Sequence, residues 1–369
     1  MTFTCVEGFC GAGGMSIGLE SAGYDVRLAF DLDKYAVDTY KNGISPNCLV
    51  ADISTLQPEA VLECTNLEIG ELTLFSGGPP CQGFSKQRRD AHIFDDPRNE
   101  LIKEYARLAN ALEPASLLLE NVAIFGQQRG RHLLKEFGGI MRNYRLFPNF
   151  YNAADYGVAQ TRQRFVLVGI RKDIKTPFLK PLPTVDRWLT VGESIGDLPE
   201  PPSDYTEHPL FHNHQRARVT QVNIDRFSHV PQGGGWQDIP FNLRLPCHQN
   251  ANTTNGGWPD VYGRLEWDGQ CPTITGGFDS FTRGRYGHPI HDRPLTPREA
   301  ARLQGFPDKI RFTGTRQEVR RQIGNAVPPP LAQAIGLQIL KTINAEEEIY
   351  ERIELLGGLQ GSLDLTLAA

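Results

Sequence analysis

A cysteine in a rigid loop is the feature of this sequence that most clearly points to chemistry. Residues 76–85 read S-G-G-P-P-C-Q-G-F-S, and they follow the short apolar run 72–75, which is typical of a buried strand. Pro79 and Pro80 restrict the backbone just before Cys81, and loops at strand ends often carry functional groups. The segment therefore indicates a nucleophile. The alternative is that Cys81 is a small buried packing residue.

Four more segments accompany this loop in a fixed order. Residues 9–14 read F-C-G-A-G-G, residues 120–122 read E-N-V, residues 160–164 read Q-T-R-Q-R and residues 322–328 read Q-I-G-N-A-V-P. Together with the P-P-C-Q loop they resemble the DNA (cytosine-5)-methyltransferases of the bacterial modification type, over nearly the whole chain. The resemblance implies methyl transfer from S-adenosylmethionine to carbon 5 of cytosine in a specific double-stranded DNA sequence, by base flipping and a covalent cysteine adduct.

Length and composition describe a globular protein with two domains. The 369 residues exceed what one hydrophobic core usually supports, and the 40% apolar and 22% charged residues are ordinary values. No apolar stretch approaches the length of a membrane span, and residues 1–20 lack the pattern of a cleavable leader. The seven cysteines are scattered and odd in number, which favours reduced thiols and a cytoplasmic location.

The net charge of −5 has a local origin. The segment from Asn344 onward contains six acidic residues and one arginine, so the rest of the chain is close to neutral. Basic clusters elsewhere can still form a surface that contacts phosphates. Overall charge therefore neither supports nor excludes a nucleic-acid partner.

Short apolar runs alternate with helical patterns over residues 1–170, which predicts a doubly wound α/β fold, of the Rossmann-like S-adenosylmethionine-dependent type by resemblance. Expected strands are 3–7, 26–31, 72–75, 116–120 and 164–170, and expected helices are 15–22, 34–42, 99–112, 296–304 and 331–343. We expect a cofactor-binding and catalytic domain (1–170), a small loop-rich target-recognition domain (171–295), a returning segment that completes the catalytic domain (296–345) and an acidic tail (346–369).

Glycines between the first strand and the first helix suit a nucleotide-like ligand, although they lack the full G-x-G-x-x-G spacing of a dinucleotide site. Asp31 could accept from a ribose diol and Asp52 from an adenine amino group, with Ile53 against the ring. Leu32 stands where many relatives have a tryptophan, which implies weaker stacking. By resemblance, the S-adenosylmethionine site comprises Phe9, Gly11, Gly13, Asp31, Leu32, Asp52, Ile53, Pro79, Asn325 and Val327. The histidines fit no usual metal-ligand spacing, so we expect no metal.

The resemblance also assigns catalytic roles. Cys81 would add as a thiolate to carbon 6 of cytosine, and Glu120 would protonate or hydrogen-bond ring nitrogen 3, with Asn121 orienting nearby backbone. Arg162 and Arg164 alternate with polar residues, so on an extended segment they would share one face. One is expected to hold the flipped base or a phosphate, and the other to pair with Glu120 or support the cysteine loop. We expect Arg164 nearer the base; a solvated charge pair is the alternative.

DNA contacts are expected from two regions. Residues 82–101 resemble a mobile loop that closes over an extruded base, and 171–290 would read the target. The candidate DNA-binding residues are Gln82, Ser85, Arg98, Arg264, Arg283 and Arg285. The expected partners are duplex DNA and a companion restriction endonuclease for the same site, although a solitary DNA methylase is also compatible; the chain is expected to be a monomer.

Three other function classes are alternatives to this interpretation. A transfer-RNA cytosine-5 methyltransferase keeps the chemistry, but the long stretch between Ile170 and His291 favours DNA, because the related RNA enzymes have short inserts. A catalytically silent DNA-binding regulator would predict loss of the cysteine, glutamate or arginines, all of which are present. A nicotinamide oxidoreductase would leave the P-P-C-Q and E-N-V segments unexplained.

Overall fold

The computed structural model describes residues 2–80, 100–127, 130–250 and 260–345. The chain separates into two compact units. The first comprises Met1–Asn152, Gln163–Thr184 and Pro329–Ala369, and the second comprises Ala153–Arg162 and Val185–Pro328. The functional division expected above, with target recognition assigned to residues 171–295, stays a prediction.

The described residues form the following strands and helices, numbered in chain order. The strands are β1 (Phe3–Gly8), β2 (Tyr24–Asp31), β3 (Cys48–Val50), β4 (Leu74–Gly77), β5 (Ser116–Val122), β6 (Tyr144–Asn152), β7 (Gln160–Thr161), β8 (Gln163–Arg171) and β9 (Cys271–Pro272). The helices are α1 (Gly14–Ser21), α2 (Lys34–Gly43), α3 (Pro58–Thr65), α4 (Glu100–Leu112), α5 (Arg131–Ile140), α6 (Val191–Ile195), α7 (Gln221–Phe227), α8 (Pro246–Gln249), α9 (Pro297–Leu303), α10 (Arg316–Asn325) and α11 (Pro329–Ile343).

The first unit is built on a seven-stranded sheet with the order β3-β2-β1-β4-β5-β8-β6. The first five strands in this order are parallel, and β8 runs antiparallel to both β5 and β6. The chain winds outward from β1 through β2 to β3 and then resumes on the other side of β1 with β4. The order therefore reverses between β1 and β4, which is where doubly wound folds open a ligand crevice at the carboxyl ends of their strands. This arrangement confirms the doubly wound α/β prediction.

Apolar residues bury both faces of this sheet, as a mainly parallel sheet requires. Tyr105 of α4 stacks on Phe75 with ring centroids 4.6 Å apart, and its hydroxyl donates to the Phe75 carbonyl. Helix α11 packs on α1, where a Cβ atom on Gly18 would meet the Pro329 carbonyl at 2.2 Å. Helix α11, the last part of the returning segment expected from the sequence, thus lies in the first unit, and the role of the whole segment 296–345 stays a prediction.

The second unit has short helices and two-residue strands joined by long loops. Its interior includes the ion pair Arg293–Glu299, in which both guanidinium NH groups donate to the carboxylate at 2.9 and 2.7 Å. Thr296 and Glu299 form a capping box at the start of α9. No helix in the described ranges is long and apolar enough to cross a membrane.

Candidate functional site

The loop after β1 is the first part of the candidate site, and its backbone depends on glycine. Phe9, Gly11 and Gly13 all have positive φ angles, of 55°, 53° and 82°. A Cβ atom on Gly13 would lie 2.1 Å from Cδ1 of Ile44, whereas one on Gly11 would meet nothing within 4 Å. Gly13 is thus required for packing and conformation, and Gly11 borders open space that a ligand can occupy.

Asp31 ends β2 and holds this loop from the side. Its Oδ2 accepts from the Gly11 N–H and its Oδ1 from the Asp33 N–H, both at 2.8 Å. Burial raises the pKa of Asp31, and these backbone N–H groups oppose that shift. Each carboxylate oxygen can accept a further hydrogen bond, so the side chain can still receive two hydroxyl donors. The next residue, Leu32, is 68% exposed.

Asp52 lies in the loop after β3. Its Oδ1 accepts from the N–H and the hydroxyl of Ser54, at 3.0 and 2.7 Å. These bonds lower the pKa of Asp52 and keep it ionised at neutral pH. Ile53, by contrast, is buried in the core of the first unit, where its side chain packs with the apolar residues that line α4. The core position of Ile53 favours a structural role for its side chain over the ring contact expected from sequence.

An ion pair marks the end of β5. Glu120 and Arg164 are 8% and 9% exposed, and Arg164 Nε lies 2.8 Å from Glu120 Oε1. The register explains the pairing: Arg164 on β8 is opposite Val122, two residues along β5 from Glu120 and on the same face. Burial lowers the pKa of the Arg164 guanidinium, and the Glu120 carboxylate opposes that shift. Of the two arginines in Q-T-R-Q-R, Arg164 is therefore the partner of Glu120.

The E-N-V segment also holds the proline loop that follows β4. Asn121 Nδ2 donates to the Pro79 carbonyl at 3.1 Å, which confirms that this side chain orients neighbouring backbone. A Cβ atom on Gly78 would lie 3.3 Å from Glu120 Oε2. The chain segment that leads into Cys81 is thus fixed against Glu120 and Asn121. Cys81 itself lies outside the described residues, as do Gln82, Ser85 and Arg98.

Arg162 belongs to the second unit, in the single position between β7 and β8. It is fully buried, and its guanidinium donates to the carbonyls of Ile274, Gly324 and Ala326 at 2.9 to 3.0 Å. These bonds join the Q-I-G-N-A-V segment to the loop that contains Ile274. The placement favours a structural role for Arg162 over the expected contact with base or phosphate. It also separates Arg162 from the extended strand that carries Arg164.

Asn325 and Val327 lie in the same unit. Asn325 is the exposed last residue of α10, and Val327 is half-buried. Sequence analysis missed two buried glutamines that support this segment: Gln160 Nε2 donates to Gln304 Oε1 at 2.8 Å, and Gln304 Nε2 donates to the Ile323 carbonyl at 2.7 Å. Gln160 stood out in the sequence as the first residue of Q-T-R-Q-R. Nothing in the sequence indicated that its partner is Gln304, 144 positions away.

The three expected DNA-binding arginines of the second unit differ in exposure. Arg264 is buried and donates to four backbone carbonyls, among them those of Val230 and Phe227. Arg285 is half-buried, with NH1 directed at the Gly233 and Gly234 carbonyls. Arg283 is exposed. The internal hydrogen bonds favour structural roles for the first two, so Arg283 is the arginine best placed to contact a phosphate.

The described parts of the chain contain no group of three or more His, Cys, Asp or Glu side chains arranged to hold a metal ion. The histidines that cluster in the sequence make other contacts. His214, for example, is buried, with its ring nitrogens 2.9 Å from the Thr296 hydroxyl and 2.7 Å from the Pro199 carbonyl.

A doubly wound sheet with a glycine loop and two carboxylates at the carboxyl ends of β1 to β3 defines the class of enzymes that bind a nucleotide-type cofactor at the switch point. Comparison with known proteins identifies the family. The family model described as "C-5 cytosine-specific DNA methylase" matches residues 3–341. The chain therefore belongs to the C-5 cytosine-specific DNA methylases and is a DNA (cytosine-5)-methyltransferase, which confirms the resemblance found in the sequence.

Individual relatives agree with this assignment. The chain is 34% identical to the type II methyltransferase M1.HphI of Haemophilus parahaemolyticus, over 92% of this chain and 87% of that protein. It is 33% identical to the type II methyltransferase M.PspPI of Psychrobacter sp., over 95% and 82%. A crystal structure described as a DNA modification methyltransferase encoded within an E. coli prophage matches with a TM-score of 0.70 and 27% identity, over 93% of this chain and 100% of that one. An Entamoeba histolytica methyltransferase, at 16% identity and a TM-score of 0.61 over 93% and 98%, shares the fold.

Proposed function

We propose that this DNA (cytosine-5)-methyltransferase takes its methyl group from S-adenosylmethionine and acts on cytosine in one duplex DNA sequence through a covalent Cys81 adduct. The observation that carries the proposal is the buried Glu120–Arg164 pair. It lies beside the Gly78–Pro80 segment, which Asn121 holds and which leads directly into Cys81. The described segment that precedes Cys81 and the Glu120 carboxyl group therefore lie at the ends of the adjacent strands β4 and β5, which supports the proposal.

The glycine loop and its two carboxylates support the proposed methyl donor. Gly11 borders open space, Asp31 has acceptor capacity for a ribose diol, and Asp52 presents an ionised carboxylate to an adenine amino group. When bound, S-adenosylmethionine supplies a methyl group made electrophilic by its sulfonium. Phe9, Gly13, Leu32 and Pro79 complete the proposed site in the first unit.

The residues of the chain have separate tasks in the proposed reaction. Glu120 first takes up a proton from solvent while it stays hydrogen-bonded to Arg164. The Cys81 thiolate then adds to carbon 6 of the flipped base as Glu120 donates that proton to ring nitrogen 3. Carbon 5 thereby becomes nucleophilic enough to take the methyl group. A bound water then removes the proton from carbon 5, the sulfur leaves carbon 6 as a thiolate, and the proton on nitrogen 3 returns to Glu120. The ring regains its aromaticity.

The DNA partner is proposed on the family and on exposed groups. We assign target recognition to residues 171–295, with Arg283 at a phosphate. M1.HphI and M.PspPI, to which the chain is similar, are type II methyltransferases. A companion restriction endonuclease acting on the same site is therefore part of the proposal.

The test uses labelled S-adenosylmethionine and duplex DNA containing 5-fluorocytosine at the target. Fluorine cannot leave carbon 5 as a proton does, so the adduct accumulates and survives denaturation. Cys81→Ala is expected to abolish both adduct and methyl transfer, whereas Cys64→Ala, at an exposed cysteine of α3, retains both. Methyl transfer by Cys81→Ala would refute the nucleophile assignment, and a preference for transfer RNA over duplex DNA would refute the substrate.

A further inference from the structure

The loop that presents Asp52 is held from outside by a residue of α4. Arg107 donates through one terminal nitrogen to two carbonyls of this loop, those of Ile53 at 2.8 Å and Leu56 at 3.1 Å. Its Nε donates to Glu104, one helical turn earlier on α4, at 2.6 Å. The guanidinium is thus fixed on its own helix and clamps the loop at two points.

The clamp acts on the residue next to Asp52. The Ile53 side chain is buried in the core and its carbonyl is bound by Arg107, so this residue is fixed on both sides. Inside the loop, the Asp52 carbonyl accepts from the N–H groups of Thr55 and Leu56, both at 3.1 Å. The Asp52 side chain uses Oδ1 for Ser54, and no residue in the described ranges hydrogen-bonds Oδ2. The loop therefore points one ionised oxygen in a defined direction.

We propose that Arg107 is a positioning residue that lets Asp52 distinguish a cofactor with an amino group at carbon 6 of its purine from one with an oxo group. This inference rests on the proposed contact between Asp52 and adenine. An amino group donates to a carboxylate oxygen, whereas an oxo group places its lone pairs against those of the carboxylate. That difference depends on the direction of Oδ2, which the Arg107 clamp fixes.

The experiment measures binding, by titration calorimetry of the full-length protein, of S-adenosylhomocysteine and of S-inosylhomocysteine, in which an oxo group replaces the amino group. The wild type is expected to prefer the adenine compound by about tenfold or more, the size of a hydrogen bond to a charged acceptor. Arg107→Met keeps the length and apolar contacts of the side chain and removes both hydrogen bonds to the loop and the one to Glu104. It should reduce the preference at least about fivefold, whereas Arg107→Lys, which retains a donor, should recover part of it.

Arg171 provides a matched control in the same unit. Its NH1 also donates to two backbone carbonyls, of Gly70 at 3.1 Å and Glu113 at 2.5 Å, and its Nε pairs with Asp173 at 2.9 Å. The last residues of β8 pair with the first residues of β5. The contacts of Arg171 therefore lie at the amino ends of the parallel strands, opposite the carboxyl ends that carry the candidate site. Arg171→Met should lower thermal stability and leave the adenine preference at the wild-type value. The control therefore shows whether a loss of stability alone changes the adenine preference, as is expected only for Arg107→Met.

The outcomes separate this inference from the function on which it rests. If the wild type binds both compounds equally, or if Asp52→Asn retains the full preference, the proposed adenine contact is wrong. If Asp52→Asn loses the preference while Arg107→Met keeps it, the adenine contact stands and the role of Arg107 is overturned. Should Arg107→Met fail to fold, Arg107→Lys and Arg107→Gln decide: an unchanged preference in both would overturn the proposal.

Discussion

Replacing Glu7 by glutamine is expected to stabilise the protein increasingly as the pH rises. Glu7 lies in the central strand β1 and is 2% exposed. Its carboxyl group accepts from the Ser16 hydroxyl, which in turn accepts from Tyr40 at 2.8 Å. Burial raises the pKa of Glu7 to about 8, and the hydrogen bond from Ser16 opposes this while the charges of Asp31 and Glu20 add to it. The fold therefore favours the protonated carboxyl group.

The sign and size of the effect follow from linkage. Between its unfolded pKa of 4.5 and its folded pKa of about 8, Glu7 binds more protons in the folded protein, so the free energy of unfolding falls as pH rises. At 1.36 kcal/mol per pKa unit, the cost is under about 1 kcal/mol at pH 5 and about 3 kcal/mol at pH 7. Glutamine has no proton to lose. The stability difference between variant and wild type should thus grow by about 2.5 kcal/mol from pH 5 to 7.

The assay is urea-induced unfolding at pH 5, 6, 7 and 8, followed by far-ultraviolet circular dichroism. All four tryptophans lie in the 185–328 segment of the second unit, whereas Glu7 lies in the first unit. Tryptophan fluorescence would therefore not report on the unfolding of the unit that contains Glu7. Any fixed packing cost of the glutamine is the same at each pH and cancels from the slope. Glu63→Gln, at an exposed position of α3, serves as control. A difference between Glu7→Gln and wild type that stays constant with pH would refute the reasoning.

Three further substitutions test the candidate site. Gly13→Ala places a methyl group 2.1 Å from Ile44 at a φ of 82°, and should lower both the melting temperature and the affinity for S-adenosylhomocysteine in calorimetry; unchanged affinity would contradict the assignment of the loop. Asn121→Ala removes the hydrogen bond to Pro79, and should slow single-turnover methyl transfer by about tenfold with little change in DNA affinity. Arg162→Met leaves three buried carbonyls without this donor, and should destabilise the second unit by about 3 kcal/mol or more, seen in its tryptophan fluorescence.

Hydrophobic pattern was sufficient for most of the doubly wound unit. Five strands and the helices α1, α2, α4 and α11 were predicted because each combines an apolar run with recognisable end signals, whereas α3 and α5 were not predicted. Two edge strands were not. β3 has only three residues, and β6 contains Pro148, which usually argues against a strand. Edge strands tolerate both features because one side of the strand needs no hydrogen-bonding partner, and edge position is a property of the sheet rather than of the sequence.

The site was predictable where a short segment carries its own chemistry. E-N-V singled out Glu120 and Asn121 as candidates, and the hydrogen bond from Asn121 to the Pro79 carbonyl agrees with the backbone-orienting role expected for Asn121. Pairs of residues that are distant in the sequence and meet only through packing could not be predicted from the sequence. The bond between Glu7 and Ser16 depends on how a strand and a helix pack, and the clamp of Arg107 on Ile53 joins residues 54 positions apart. No periodicity in the sequence marks such pairs.

The two arginines of Q-T-R-Q-R have different partners, which alternation alone did not predict. The strand is interrupted at Arg162, where the chain passes from the second unit to the first. Arg164 meets a buried carboxylate, so a lysine there retains the charge that Glu120 needs. Arg162 meets three neutral carbonyls, whose directions match the fork of a guanidinium and not a single ammonium. Lysine should therefore be tolerated better at position 164 than at position 162, although both substitutions keep the charge.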